Sequence, residues 1–366
     1  MIHRARASIK LSALHHNLNI ARQYAGPRKV LAVIKANAYG HGLLPVAEAL
    51  NEADAFGVTD INEAETLTQA DCKKPIVILQ GIIEQSDITR IAAGGYQLVV
   101  HRMQDLQWLE EALDKNPPAA PLTIWLKMNS GMGRLGLKPA AVKSAYAGLQ
   151  HKDWCSEVIL MTHLANGNLT DSELNQQQID SFSSVAKELP DAPASIAASS
   201  GLLAGFGKDS DWVRPGIMLY GSSPFPYSDE KLRREHFGLQ AVMSLEARLI
   251  AIQDCQAGDN VGYCSQFICP QDMRIGIVSI GYADGYPSNA PNGTPVMING
   301  KRSVTCGRVS MDMIAVDLGP VPEAGTGDIV TLWGEQLSVD EVAEHTGILS
   351  YNLSCSIAAR VERVYG

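Results

Sequence analysis

Val30-Leu31-Ala32-Val33-Ile34-Lys35-Ala36-Asn37-Ala38-Tyr39-Gly40-His41-Gly42 is the stretch on which the fold turns. The apolar run before the lysine is too short and too β-branched for a helix. It predicts a buried strand with Lys35 at its carboxyl end and a Gly- and Asn-containing turn straight after it. Burying an ammonium there is costly unless it is paired or its pKa is lowered. A lysine so adjusted is the kind that forms a Schiff base with an aldehyde. A surface lysine just past a core strand is the plain alternative.

Outward from Lys35, short apolar runs recur between amphipathic segments. Strands are expected at residues 30–35, 55–60, 76–80, 97–101, 122–128, 158–163, 195–199 and 212–219. Between them lie helical spacings such as Leu43, Val46, Ala47, Leu50 and Met103, Leu106, Leu109. Strands alternating with helices imply right-handed βαβ units and a parallel sheet. Eight units in roughly 220 residues is the arithmetic of a (β/α)8 TIM-type barrel. An open doubly wound sheet more often has fewer strands, and no GxGxxG follows the first one.

The pattern changes after about residue 235. Strand-like runs at 242–252, 274–279, 294–299, 303–306, 313–317 and 328–333 follow one another, and Asn299-Gly300 is a strong type I′ hairpin signal. Only 339–346 reads as a helix, with Ser338-Val339-Asp340-Glu341 as its capping box. The expected organisation is a barrel over 1–235 and a mostly β C-terminal domain over 236–366.

Composition sets bounds on partners. The 366 residues are 46% hydrophobic and 19% charged, ordinary for a soluble globular protein. A formal net charge of -9 argues against nucleic acid, which needs a basic surface. The seven cysteines are scattered without a CxxC pair, which fits reduced thiols better than disulfides or a zinc site. The basic start, Met1-Ile2-His3-Arg4-Ala5-Arg6, lacks the apolar segment of a secretory signal, and no run is long enough to span a bilayer. The expectation is a cytoplasmic protein that binds neither membrane nor nucleic acid nor metal.

Barrel enzymes carry their chemistry at the carboxyl ends of the strands. The candidates fall there: Lys35 after strand one, Arg134 in Asn129-Ser130-Gly131-Met132-Gly133-Arg134-Leu135-Gly136 after strand five, and His163 at the end of strand six. Ser199-Ser200-Gly201 follows strand seven, and Arg214-Pro215-Gly216-Ile217 lies in strand eight. Each has a plainer reading: a surface-paired arginine, a satisfied core histidine, an ordinary N-cap. A helix start after strand seven also aims N–H groups at a phosphate, which makes Ser200, Gly216 and Ile217 reasonable phosphate contacts.

These strings together resemble the alanine racemase family over nearly the full length. Val-Ile-Lys-Ala-Asn-Ala-Tyr-Gly-His-Gly is similar to its pyridoxal-phosphate lysine motif, with Tyr39 at a phosphate-binding tyrosine. The Arg134 loop, Thr162-His163-Leu164-Ala165 and Arg214-Pro215-Gly216-Ile217-Met218-Leu219-Tyr220-Gly221 resemble its arginine, histidine and cofactor-nitrogen motifs. Val261-Gly262-Tyr263, Gly281-Tyr282-Ala283-Asp284-Gly285-Tyr286, Cys306-Gly307-Arg308-Val309-Ser310-Met311-Asp312 and Ser350-Tyr351 match it in the β domain. Two departures stand out: Ser199 where an asparagine is expected, and Asn166-Gly167-Asn168 where the family more often ends in aspartate.

The resemblance implies a pyridoxal 5′-phosphate enzyme that interconverts L-alanine and D-alanine with two bases, Lys35 for the D-enantiomer and Tyr263 for the L-enantiomer. Tyr263 is expected from the neighbouring subunit of a homodimer. A free tyrosine titrates near ~10, so positive charge from Arg134 or His163 is expected to acidify it, with His163 as the tuning group. Arg134 is shared with the substrate carboxylate, and Tyr282, Met311 and Asp312 line the substrate entrance. Tyr39, His163, Ser200, Arg214, Gly216, Ile217 and Tyr351 are expected to hold the cofactor. Arg214 cannot accept a proton from the pyridine nitrogen, which limits delocalisation and suits racemisation over transamination. Lys127 should point toward Arg134, and in some members of the family the matching lysine is carbamylated. Three rivals are weighed: a non-catalytic cofactor carrier, which would not need Tyr263; a basic amino acid decarboxylase, which would have an acid in place of Arg214; and a broader small amino acid racemase, separated only by pocket width.

Overall fold

The computed structural model describes residues 4–366. The first three residues of the basic start lie outside the described residues. Strand β1 (Ala5–Ile9) comes first, followed by the eight barrel strands: β2 (Lys29–Val33), β3 (Ala55–Val58), β4 (Ile76–Ile78), β5 (Gln97–Val100), β6 (Leu122–Lys127), β7 (Cys155–Met161), β8 (Ala194–Ala198) and β9 (Trp212–Arg214). All eight pair in parallel in chain order, and β9 closes on β2 through Lys29–Trp212 and Val30–Val213. β3, β4 and β9 are buried at every position. Continuous burial is what a parallel strand covered on both faces demands, and it is why these segments read as uninterrupted apolar runs.

Helices fill the connections. Leu43, Val46, Ala47 and Leu50 turn inward as their spacing predicts, as do Leu106 and Leu109, but Met103 is exposed at the first turn of its helix. β9 stops at Arg214, earlier than the expected run, because Pro215 cannot donate to a ladder. Ile217–Tyr220 is a 3₁₀ turn, so Gly216 and Ile217 sit in the loop after the last strand.

The second sheet is mostly antiparallel and contains β10 (Met243–Cys255), β11 (Met273–Val278), β12 (Pro295–Ile298), β13 (Lys301–Val304), β14 (Ile314–Asp317), β15 (Ile329–Trp333) and β16 (Glu362–Tyr365). Its order is β13-β12-β15-β10-β1-β16, with β11 joining β10 to β14. β1 and the first half of β10 alternate buried and half-buried residues, the mark of a sheet with one covered face. The Asn299-Gly300 hairpin is confirmed: both residues have positive φ, 49° and 73°, between the paired Ile298 and Lys301.

Three expectations need correction. First, β1 pairs antiparallel with β10 and parallel with β16, so the N-terminal strand belongs to the β unit and not to the barrel. The compact units are Asn17–Ala38 with Leu43–Leu219, and the N-terminal segment with Tyr39–Gly42 and Tyr220–Gly366. The boundary therefore lies nearer Tyr220 than residue 235. Second, Ser338 caps its helix by accepting from the Asp340 N–H alone; Glu341 instead pairs with Arg302 and Tyr227. Third, Ser350–Cys355 is an additional helix.

Candidate active site

In the barrel unit, Lys35 stands two residues beyond β2 and is exposed in the single chain, where the sequence suggested burial. The backbone after it is unusual. Ala36, Asn37, Ala38 and Tyr39 all have φ of 52–54°, a turn of left-handed helix without a glycine. Each such residue costs roughly 1–2 kcal/mol relative to right-handed backbone. The turn is tied down where it can be: Ala38 N–H donates to Ile34 O (2.9 Å), and Asn37 Oδ1 accepts from Leu43 N–H (2.9 Å). The Glu63 carboxylate accepts from Asn37 N–H (3.0 Å) and from Thr59 N–H (2.8 Å).

Lys127 ends β6 and is buried. Burial pushes its ammonium down to about 8, and the neighbouring charges of Arg214, Arg134 and Lys35 push the same way. Arg134 is delivered by the glycine-rich loop after β6. Asn129 Oδ1 accepts from Gly131 N–H and Gly133 N–H, and a Cβ at Gly136 would lie 2.4 Å from Asn129 N. Gly136, at φ 128°, must therefore be glycine for the loop to close through the Leu137 N–H···Lys127 O bond (2.8 Å).

Arg214 is almost wholly buried, and burial lowers its guanidinium to about 10, still charged at neutral pH. It donates to Thr162 O (2.6 Å), Ile196 O (3.1 Å) and Ser195 Oγ, which fixes its plane between β7, β8 and β9. His163 Nδ1 lies 3.5 Å from Arg214 Nη2. Burial, reinforced by Arg214, Lys127, Arg134 and Lys35, holds the imidazole down to about 3. His163 is therefore neutral, which corrects its expected role: it has no positive charge with which to acidify a phenol. Gln178, a residue the sequence reading passed over, is fully buried and donates to His163 O (3.0 Å) while accepting from Ala165 N–H. Nothing in its helical surroundings distinguished it from other polar positions.

Ser199 and Ser200 open the short helix after β8. Ser199 Oγ accepts from Gly216 N–H (2.8 Å), joining the loops that follow β8 and β9, so the serine in place of asparagine has a structural task. A Cβ at Gly167 would come 2.6 Å from Ser200 Oγ, so the two loops lie close there. Lys35, Lys127, Arg134 and Arg214 thus share one field around a neutral histidine. Among the described residues, none of Lys127, Arg134 and Arg214 forms an ion pair with a carboxylate. These three cations, beside hydroxyl and backbone N–H donors, suit an anionic ligand.

In the β unit, Tyr39 stacks on Tyr220 (ring centroids 4.7 Å apart) and tilts against Tyr351 (6.0 Å). Burial raises both the Tyr39 and the Tyr351 phenol, so each is a proton donor at any working pH. Gly40 has φ 82°, and a Cβ there would lie 2.1 Å from Ser354 O, so this close approach needs glycine. Tyr263 is 66% exposed, on a loop whose neighbour Gly307 would strike Val261 O if it carried a Cβ. Tyr282 and Met311 are also exposed. Their loops lie against each other: Tyr282 N–H donates to Ser310 O and Ala283 N–H to Met311 O, both at 3.0 Å. Beneath them, buried Asp284 receives Arg4 (2.9 Å) and Arg360 (2.8 Å), and the same arginines reach Asp312 at 3.1 and 2.6 Å. Arg360 first, then Arg4, holds the Asp312 carboxyl below its usual range. The structure therefore groups the candidates into two sets, one in each unit.

Both units have counterparts among known proteins. Residues 9–224 match the model for the alanine racemase N-terminal domain and 242–365 that for the C-terminal domain. The chain is 44% identical to the catabolic alanine racemase of Pseudomonas putida, over 99% of this chain and 98% of that one. It is 41% identical to the biosynthetic alanine racemase of Salmonella typhimurium, over 98% of each. The solved biosynthetic alanine racemase of Pseudomonas aeruginosa superimposes with a TM-score of 0.94 at 40% identity, covering both chains fully. An alanine racemase from Bartonella henselae, solved with covalently bound pyridoxal phosphate, gives 0.89 at 28% identity, again over the whole of both chains. The two domain matches and the full-length identities place the chain in the alanine racemase family.

Proposed function

We propose that this chain interconverts L-alanine and D-alanine with pyridoxal 5′-phosphate held on Lys35, in a homodimer. The observation that carries the reading is the barrel cluster itself: one reactive-type lysine within a field of Lys127, Arg134 and Arg214, none of which pairs with a carboxylate among the described residues. The donor set fits the cofactor. Tyr39, Tyr351, Ser200 and the Ile217 backbone N–H would supply phosphate donors, whereas the Gly216 N–H already donates to Ser199 Oγ, and Arg214 can donate to the pyridine nitrogen but cannot take a proton from it. When bound, the cofactor supplies the electron sink that makes the Cα proton of an attached amino acid removable.

The chain's own groups then carry the proton. Lys35 Nζ serves one face of Cα and the Tyr263 phenol the other, returning a proton on the face opposite to its removal. Arg134 holds the substrate carboxylate so that Cα–H stays between the two bases. Tyr282, Met311 and Asp312 narrow the approach and favour a methyl side chain. His163, being neutral, accepts a hydrogen bond from Arg214 and keeps that guanidinium in its plane. Lys127, with its ammonium lowered to about 8, has the neutral fraction that reacts with carbon dioxide; the amine nitrogen bonds to carbon and releases a proton, leaving a carbamate that would face Arg134.

Turnover of each of the nineteen chiral standard L-amino acids tests the activity, and borohydride reduction followed by peptide mapping tests the cofactor. Alanine should be the main substrate, with the reduced pyridoxyl group on the peptide of Lys35. Comparable turnover of several larger amino acids would favour a broad racemase. A colourless protein that gains no absorbance with added cofactor would overturn the assignment.

A further inference from the structure

We propose that Glu63 is a positioning residue for Lys35, holding the left-handed turn that follows it; the inference rests on Lys35 being the cofactor lysine. Lys35 is flanked by two different kinds of backbone. On one side Ile34 N–H donates to Gly57 O (2.9 Å), anchoring the lysine to the end of the barrel strand. On the other, three of the next four residues are alanine or asparagine at φ near 53°, followed by Tyr39 at 52°, where L-residues are disfavoured. Such a turn persists only if its surroundings hold it.

Glu63 does this from the neighbouring βα unit. Its helix, Ile61–Gln69, starts at Asp60, whose side chain accepts from Asn62 N–H and Glu63 N–H and so fixes the first turn. From that fixed base one carboxylate takes two amides: Thr59 N–H, just past β3, and Asn37 N–H, in the middle of the left-handed turn. It therefore clamps the loop after β2 to the loop after β3, and the clamped loop carries Lys35 at its root. Without Glu63 the turn can relax toward right-handed backbone, and Lys35 loses the backbone position from which its charge acts on Lys127 and His163. Glu63 touches neither substrate nor cofactor in this reading.

The test compares attachment with binding in the apoprotein. Attachment forms a C=N bond between Lys35 Nζ and the aldehyde carbon, and the aldehyde oxygen leaves as water with two amine protons. Its rate is read from visible absorbance and from borohydride labelling of the Lys35 peptide. Pyridoxine 5′-phosphate, which has an alcohol in place of the aldehyde, reports binding alone. Glu63→Ala should slow attachment about tenfold or more, since small displacements of a reacting group cost that much, and should weaken pyridoxine phosphate affinity far less, only through Tyr39 at the end of the same turn. Glu63→Gln, which keeps one acceptor, should fall between. Adding Ala36→Gly to Glu63→Ala should recover much of the rate, because glycine accepts positive φ without strain. Unchanged attachment in Glu63→Ala would overturn the role. So would equal weakening of both ligands with no recovery by glycine, the mark of a merely structural residue. If the wild-type protein itself attaches no cofactor, the cofactor reading falls first and this role falls with it.

Discussion

The cation cluster of the barrel and the Tyr263, Tyr282 and Met311 surface of the β unit are built on opposite principles. In the barrel, charge is concentrated and unbalanced: Lys127 and Arg214 are buried, their pKa values are lowered, and the histidine among them is forced neutral. In the β unit, charge is balanced pair by pair, Arg4 and Arg360 against Asp284 and Asp312, while the side chains it supports are apolar or phenolic and exposed. The first arrangement is costly until a small anion arrives. The second is stable by itself but leaves large side chains in water, on backbone too tightly packed at Gly281 and Gly307 to yield. A field that wants a ligand and a rigid surface that wants a cover are what a site completed between two subunits would require.

The sharpest way to break this contrast is to remove the phenol. Tyr263→Phe should leave the visible absorbance of bound cofactor intact, because Tyr263 is not among the groups assigned to hold it, and should cut racemisation by about 10²–10⁴-fold, the usual worth of a general acid–base group. Weaker cofactor binding in this variant would mean that the two regions do not divide the work as described.

A smaller effect is expected when the barrel's imbalance is corrected by an acid. Arg214→Glu replaces a group that cannot accept the pyridine proton by one that stabilises it there. Racemisation should slow by about tenfold, with a new long-wavelength absorbance band and measurable transamination. Unchanged spectra would mean that Arg214 does not face the ring.

The least effect concerns stability. The Lys127 ammonium is lowered to about 8 in the folded chain against ~10.4 when unfolded. The folded state binds fewer protons between these values, so stability from this group rises as pH climbs from about 8 and levels off above ~10.5. Below pH 8 the full penalty applies, about 3 kcal/mol. In the apoprotein, Lys127→Met should therefore be more stable than wild type at pH 7, and the advantage should vanish near pH 11. Denaturant midpoints of the two proteins across this range measure the difference; a constant difference would show that burial does not disfavour the charge.

The barrel was legible because its strands are buried on both faces, so apolar runs, spacing and the position of Lys35 all report one periodicity. The residues at strand ends were legible for the same reason. The left-handed turn was not: Ala36-Asn37-Ala38 carries no glycine to signal positive φ, and what holds it, Glu63, lies far along the chain. The membership of β1 was hidden because its partners, β10 and β16, are more than two hundred residues away. His163 was identified by position but misjudged in charge, since the field of four cations exists only once the strands are assembled. Gln178 and Ser199 act through side-chain hydrogen bonds to distant backbone that no pattern announces.

The central claim is that Lys35 and Tyr263 of one site come from different chains. Equal amounts of Lys35→Ala and Tyr263→Phe protein, each inactive alone, should be dissociated, mixed and reassociated. A mixed dimer then has one site with both defects and one with neither. Random pairing makes half the dimers mixed, so activity should return to about a quarter of wild type. No recovery, with reassociation verified by mass, would place both bases on one chain and contradict the account.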